Sequence, residues 1–494
     1  MAKTSKALDP TQREFWLWVS QAAFSNPFSE QRHELDLKIA GPFEGEAQRA
    51  GALANSLCSR VQHLEERGLA RLSKFSGSER DVMRIGFLFE VFHRFHAEFD
   101  QLIVDQASTG DNSHRVHFAA ETLALLARRG FGAEESVRFF GIFYQLRRAF
   151  YFIMQGLIGQ SPCMKELRRH SWNNVFTHDV RWYDQYLWNR MEDFSTLLLG
   201  ETGTGKGTTA AAIGRSGFIP FDEKKGCFAE SFTRGFISLN LSQYPETLIE
   251  SELFGHKKGA FTGAIEAHEG IFTRCSPYGA IFLDEIGEVS APVQIKLLQV
   301  LQERTFSPVG GHEKLRFRGR VIGATNQPIE HLREHIRQDF FYRLCSDLIT
   351  VPPLRQRIRE SPEEVNLLLE HLVSRTIGAV APQLVNMVRN VIRDDLGQDY
   401  PWPGNVRELE QAVRRILLTR SYRGRHTPPA KDLPQLLVNG IEDGSLDADA
   451  LLSAYCGLLY QKHGTFEAVS RVAKLDYRTV KKYLQNPKTA FPEK

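Results

Sequence analysis

Cysteine is scarce and unpatterned in this chain. Six residues (Cys58, Cys163, Cys227, Cys275, Cys345 and Cys456) are spread over 494 positions with no C-x-x-C or finger spacing. That argues against a zinc finger or a disulfide framework and fits a reducing cytoplasm best. Long apolar runs are missing too. The most apolar segment, Ala149 to Ile158, falls short of the ~20 residues that cross a bilayer, and the first residues hold no signal-peptide block. Nor is there an excess of one charge. With 62 Lys and Arg against 59 Asp and Glu the formal net charge is +3, so any nucleic-acid surface has to be local. What is present is a globular composition, 42% hydrophobic and 24% charged. At about 150 residues per domain the length suggests roughly three units.

Residues 1–155 are Phe-rich and mostly helical in pattern, with amphipathic runs at Val82 to Phe99 and Glu135 to Gly156. His93 and His96 lie three apart on one helical face, and His114 with His117 repeat the spacing. A metal pair and a satisfied histidine pair at the core edge both fit, but supporting Cys or acidic ligands are lacking. No strand-terminal acidic pair of a phosphoacceptor domain is present. The segment reads as a regulatory or sensory domain, its signal or partner unknown.

Chemistry begins at Phe194-Ser-Thr-Leu-Leu-Leu199, a buried-strand pattern that runs into Gly200-Glu201-Thr202-Gly203-Thr204-Gly205-Lys206. This is G-x-x-x-x-G-K in its strand–loop–helix setting. Its glycines let backbone N–H groups converge on phosphate oxygens, and Lys206 is placed to reach the β and γ phosphates. A magnesium-binding hydroxyl usually follows the lysine; here Gly207 follows, and Thr208 is the nearest candidate. Ala280-Ile-Phe-Leu-Asp284-Glu285 is an apolar strand ending in two acids, with Asp284 suited to Mg²⁺ and Glu285 to orienting and deprotonating water. Arg316 to Asn326 is expected as one further strand, its end carrying Thr325 and Asn326 as a γ-phosphate sensor would. Gly235 to Asn240 is another, and its terminal Asn240 is either a turn former or functional. The stretch between Ile213 and Phe236 reads as a loop insertion, and Trp172 to Trp188 is Trp-rich.

Gly255-His-Lys-Lys-Gly-Ala-Phe-Thr-Gly-Ala264 surrounds one large apolar side chain, Phe261, with glycines, directly after the helical spacing of Glu250 to Phe254. It is either an exposed tip with an aromatic probe or a Gly-rich turn over a buried Phe. The run Gly259-Ala260-Phe261-Thr262-Gly263-Ala264 resembles the GAFTGA signature of bacterial enhancer-binding proteins, the AAA+ activators of sigma-54 RNA polymerase. In that family the loop touches the sigma factor, and the resemblance implies the same for these six residues.

The resemblance further implies an α/β P-loop AAA+ ATPase fold, a parallel sheet flanked by helices plus a helical lid, with a mostly helical N-terminal domain. ATP and Mg²⁺ would be held by Gly200 to Thr208, Asp284, Asn326 and, as second sensor, Arg407 of Tyr400-Pro-Trp-Pro-Gly-Asn-Val-Arg-Glu-Leu409. Glu285 would be catalytic. Arg337 and Arg343, otherwise readable as surface arginines, would act as fingers on the neighbour's nucleotide in a hexameric ring. Asn240 would relay nucleotide state to the loop.

Residues 424–445 read as a Pro- and Gly-bearing linker. Asp447 to Tyr460, Thr465 to Ala473 and Tyr477 to Gln485 then have helix-turn-helix spacing, although a helical oligomerisation tail has the same pattern. They resemble the Fis-type domain of the same family, with Tyr477, Arg478, Lys481 and Lys482 toward DNA, Asp476 as a cap, and Lys474 where the turn usually has Gly. The expected map is a regulatory domain at 1–155, α/β ATPase at 156–352, lid at 353–423, linker at 424–445 and helix-turn-helix at 446–494. The expected function is a cytoplasmic, non-membrane activator. It would bind enhancer DNA and use ATP hydrolysis to open the sigma-54 closed complex. Two rivals are a DNA-bound regulator of other promoters, whose ATPase serves assembly, and a chaperone-type AAA+ protein.

Overall fold

The computed structural model describes residues 8–397, 399–422, 424, 441 and 447–485, so the expected linker at 424–445 lies almost wholly outside the described residues. They fall into two compact units, one drawn from Met1–Asn390 with Trp402–Arg420 and the other from Val391–Pro401 with Ser421–Lys494.

In the larger unit a five-stranded parallel sheet is made by β1 (Thr196–Leu199), β4 (Phe236–Asn240), β5 (Ala280–Asp284), β8 (Arg320–Thr325) and β9 (Asp347–Thr350), in the order β4-β5-β8-β1-β9. These segments are nearly continuous apolar runs because both faces are covered. Alternation divides them. Leu197, Ile281 and Val321 face helices Glu246–Phe254, Ala291–Glu303 and Gln338–Leu344, while Leu198, Phe282 and Ile322 face helices Pro162–Phe176 and Lys206–Gly214. The register aligns Asn240 with Asp284, and Leu199 with Thr325 and Thr350, so the polar strand ends share one edge. In open α/β sheets that carboxyl edge is where ligands bind.

The expected strand from Arg316 is divided. β7 (Leu315–Arg316) pairs antiparallel with β6 (Thr305–Phe306), and the sheet strand starts only at Arg320. Arg320 is buried, donating to Phe194 O (2.8 Å) and Asn174 Oδ1 (2.8 Å), which ties the segment before β1 to the sheet.

Seven helices between Pro10–Phe24 and Ala133–Gly156 form the N-terminal layer. Asp9 and Ser29 cap two of them, accepting from Gln12 N and Arg32 N. The amphipathic run from Val82 breaks at Phe95, between helices Gly77–Arg94 and His96–Thr109. His93 and His96 therefore straddle a helix end. Their Nδ1 atoms are satisfied by Phe89 O and His93 O, and His114 pairs through Nε2 with Thr109 Oγ1. Among the described residues no His, Cys, Asp and Glu cluster suits a metal ion. No helix among them is long and apolar enough to cross a membrane.

The segment 214–235, expected as a loop insertion, contains an antiparallel pair, β2 (Phe221–Asp222) and β3 (Cys227–Phe228), and belongs to the N-terminal core. Phe228 stacks on Tyr144 at 3.9 Å between centroids and Phe221 meets Phe140 at 4.8 Å. Such aromatic pairs add about 0.5–1.5 kcal/mol each beyond area burial. Beside them Arg148, 1% exposed, donates to Arg215 O (2.9 Å), and Gln145 donates to Ser216 O (2.9 Å). A cation from the N-terminal layer thus sits at the carboxyl end of helix Lys206–Gly214, where the helix dipole favours it.

The smaller unit holds helices Ala448–His463, Phe466–Ala473 and Tyr477–Gln485 around Cys456, Leu459, Val469 and Val480. Asp447, Thr465 and Asp476 each accept a backbone N–H at a helix start. Lys474 adopts φ +55° in the turn, the left-handed geometry that glycine usually supplies.

Candidate functional site

The carboxyl edge of the sheet gathers most of the predicted nucleotide residues. After β1 the chain turns through Gly200 and Gly203 into helix Lys206–Gly214. Gly203 has φ +83°, and a Cβ there would stand 2.4 Å from Gly404 O and 2.9 Å from Arg407 Cβ, so no other residue fits between loop and lid. Lys206 is buried and folds back over the loop, donating from Nζ to Gly200 O (2.7 Å) and Glu201 O (3.2 Å). Thr204 Oγ1 donates to Glu201 O (2.9 Å), and Asn326 Nδ2 donates to Thr202 Oγ1 (3.3 Å), joining the end of β8 to the loop.

Asp284 ends β5, its Oδ1 accepting from Glu285 N at 3.1 Å. Glu285 takes φ +57°, ψ +45°, a left-handed conformation uncommon for a residue with a side chain and typical of strain held at a functional position. Burial raises its carboxyl above the ordinary range and Asp284 adds to this, while Lys206 and the Asn326 backbone N–H oppose it. Burial likewise lowers the Lys206 ammonium, with Glu285 and Asp284 opposing. A carboxylate raised in this way is a better proton acceptor near neutral pH.

Thr208, the sequence candidate for a second metal ligand, is exposed on the first turn of helix Lys206–Gly214. Its methyl carbon stands against Gly156, 3.2 Å from where a Cβ would be, and Gly207 is the residue on the β5 side, with Phe282 its nearest neighbour at 3.8 Å. Successive helical side chains point about 100° apart, so Thr208 and Gly207 leave the helix in different directions. Of the two candidates, Asp284 stands at the sheet end with carboxylate oxygens, which is donor chemistry that fits Mg²⁺.

Asn405 is a residue the sequence reading missed. Fully buried at φ +54°, it donates from Nδ2 to Glu201 Oε2 (3.2 Å) and Thr202 O (3.1 Å) and accepts Leu354 N at Oδ1 (2.8 Å). Arg355 pairs with Glu201 through both carboxylate oxygens, and Arg407 N donates to Gly203 O (3.3 Å). One amide therefore bolts the phosphate loop to the lid. The Pro-Gly-Asn run was the available signal, since these are the residues that enter left-handed turns. Glu364 accepts Gln160 N and Ser161 N and pairs with Arg357 at 2.8 Å, anchoring the turn that precedes helix Pro162–Phe176.

Helix Glu246–Phe254 leads from the β4 end into the glycine-rich loop. The loop's base is a bridge of mutual His256 and His268 N–H bonds (3.0 Å each), and Gly259 N closes on Ala264 O (2.8 Å). Phe261 is 36% exposed with its ring edge-on to His256 at 4.9 Å, Thr262 and Gly263 are exposed, and Ala264 is buried. Ala260 leans on the neighbouring loop at Gly310, whose φ of +71° and 2.8 Å approach to Ala260 Cβ exclude a side chain. Ile265, 78% exposed beside the tip, was not singled out from sequence.

Asn240 spends its side-chain oxygen on its own turn, accepting Ser242 N (3.0 Å) and Ser242 Oγ (2.7 Å). Arg337 and Arg343 lie on the surface of the segment around helix Gln338–Leu344, Arg337 paired with Asp339 at 2.8 Å. That helix covers the sheet face opposite helix Lys206–Gly214. In the smaller unit Tyr477, Arg478, Lys481 and Lys482 are all exposed, while Val480 turns into the core.

Comparison with known proteins agrees with this architecture. Residues 181–350 match the family model described as the sigma-54 interaction domain, and residues 359–448 match the AAA+ ATPase lid domain. The fold is that of an AAA+ ATPase. Relatives include the Nif-specific regulatory protein of Klebsiella pneumoniae, 37% identical over 269 residues, covering 53% of this chain and 44% of that protein. That of Azotobacter vinelandii is 43% identical over 223 residues (45% and 39%). The DNA-binding transcriptional regulator NtrC of Azospirillum brasilense is 37% identical over 262 residues (53% and 47%). The matched stretch is thus less than half the length of each of these relatives.

Proposed function

We propose that the chain is an ATP-hydrolysing activator that remodels sigma-54 RNA polymerase from the closed to the open promoter complex, working as a homo-oligomeric ring and bound to enhancer DNA. The observation that carries this reading is the joining of two features on one sheet edge. Lys206, Asp284 and Glu285 converge there, and β4, the register partner of β5, leads directly through helix Glu246–Phe254 to the exposed Phe261–Thr262 tip. Lys206 and the loop N–H groups bind the phosphates, and Asn326 lies beside the γ position. Glu285 orients water and takes its proton. Mg²⁺ held by Asp284 would neutralise phosphate charge. Arg337 and Arg343 serve a neighbour's nucleotide, being exposed around a helix on the sheet face opposite helix Lys206–Gly214. Arg407 completes the lid side. Where nucleotide state alters the β4–β5 ends, Asn240 passes the change to the loop, and the loop engages the sigma factor. The face of Tyr477, Arg478, Lys481 and Lys482 meets DNA.

Two substitutions test the catalytic half. Lys206→Ala removes the phosphate-facing cation, and a charged hydrogen bond of about 1.5–3 kcal/mol predicts roughly ten- to hundredfold weaker ATP binding. Glu285→Gln keeps ATP binding and slows turnover at least tenfold. Normal turnover in Glu285→Gln, measured by phosphate release, rejects the assignment.

A further inference from the structure

A half-open cavity of about 490 Å³ lies between helices Pro10–Phe24, Gly45–Glu66, Gly77–Arg94 and Ala133–Gly156 of the N-terminal layer and helix Pro162–Phe176. Small-molecule sites have volumes of roughly 300–1,000 Å³ and mostly apolar walls with a few fixed polar groups. The walls here are of that kind. Leu88 and Phe92 from one helix, and Leu146, Phe150 and Met154 at four-residue spacing from another, line the space and stay only half-buried. A packed core would have covered them.

Each of these charges on the wall has a partner, Arg32 and Arg49 sharing one carboxylate. Arg147 is paired with Asp100 (2.6 Å), Arg84 with Glu135 (2.6 Å), and Arg32 and Arg49 with Asp36 (2.8 and 2.6 Å), while Asp184 is held by Arg138. Several guanidiniums also stack on rings, Arg32 over Phe89 and Arg147 over Phe150 at 5.1 and 5.2 Å. A charged guest would lose water here, and the charges it would meet are already held in ion pairs.

Trp172 Nε1 on this wall is a buried donor without a partner, and His93 offers an acceptor. His93 lines the cavity, is 4% exposed, and uses Nδ1 on Phe89 O at 2.9 Å. A carbonyl only accepts, so Nδ1 carries the hydrogen, and Nε2 of the neutral ring is an acceptor with no protein donor. Burial, and next the nearby Arg32 charge, hold the ring's pKa well below its ordinary value, which keeps it neutral.

We propose that this cavity binds an uncharged, ring-bearing small molecule whose hydrogen-bond donor is received by His93 Nε2. The cavity's chemistry stands apart from the nucleotide site and does not depend on how that site is read.

N-phenyl-1-naphthylamine suits the test, being neutral, aromatic and equipped with one N–H, and its fluorescence rises in apolar surroundings. Titrated into the full chain, it should saturate at one site per chain. Leu146→Trp fills the space and should abolish that site. Met154→Trp serves the same end should the first variant misfold. His93→Phe keeps the packing and removes the acceptor, so affinity should fall about tenfold, the equivalent of one hydrogen bond of roughly 1.4 kcal/mol. Anilinonaphthalene sulfonate, the same skeleton with a negative charge, should bind at least tenfold more weakly than the neutral probe. The proposal is overturned if the neutral probe shows no saturable site, if folded Leu146→Trp and Met154→Trp bind it like wild type, if His93→Phe binds it unchanged, or if the sulfonate binds more tightly.

Discussion

The carboxyl edge of the sheet and the N-terminal helical layer solve different problems in one compact unit. At the edge, backbone atoms, Lys206, Asn326 and Asn405 meet within hydrogen-bond distance of the phosphate loop, and no residue can be exchanged without losing a partner. In the N-terminal layer, Phe99, Phe118, Phe140, Tyr144 and Phe228 fill one volume through ring contacts between 3.9 and 6.3 Å, where many apolar combinations would pack. Directional chemistry fixes residue types at fixed spacings. Packing fixes only volume and pattern.

The largest effect expected from this contrast is on stability. Phe140→Ala removes a fully buried ring that touches both the N-terminal helices and the β2–β3 pair, and should cost about 3–5 kcal/mol in denaturant unfolding. Phe140→Leu should cost much less, because volume is nearly kept. Equal losses for both would make the ring geometry specific and erase the contrast.

Asn405→Ala is the counterpart at the edge. Leaving Glu201, Thr202 O and Leu354 N without their partner should cost about 1–3 kcal/mol, seen as weaker ATP binding by fluorescence titration. Asn405→Gly tolerates φ +54° and still lacks the amide. It should bind ATP as poorly as Asn405→Ala; recovery in the glycine variant would assign the effect to backbone strain.

The smallest effect concerns His170, whose Nε2 meets Asp347 Oδ1 at 3.0 Å. The hydrogen bond to that carboxylate raises the imidazole pKa. The stabilisation is therefore complete below the unfolded value of about 6.5 and is lost as pH rises through the higher folded value. His170→Gln should lower the melting temperature at pH 6 and do so less at pH 8.5; a deficit independent of pH would leave packing as the only role.

The same contrast explains what could be read in advance. The phosphate loop, the acidic end of β5 and the Phe261 tip were legible because their chemistry uses neighbours in sequence. Asn405 was not, since Glu201 and Thr202, which accept from its amide, lie far away in sequence and only a left-handed backbone marks it. The 214–235 segment was misread as a loop because Phe221, Phe228 and Phe232 are spaced too irregularly to announce a strand pair, and the surface that buries them lies in residues 95–152. The break at Phe95 was hidden because apolar spacing continues across it.

The central claim is that hydrolysis and sigma-54 engagement are separate functions of one sheet edge, joined through helix Glu246–Phe254. Thr262 is exposed at the loop tip and is not part of the nucleotide site, so Thr262→Ala measures the joint directly. The measurement is binding of purified sigma-54 to the ring trapped with an ADP–metal fluoride, alongside ATP turnover of the same preparation. The account predicts near-normal turnover with no sigma-54 complex; trapped Thr262→Ala that binds sigma-54 and opens promoters as wild type does would contradict it.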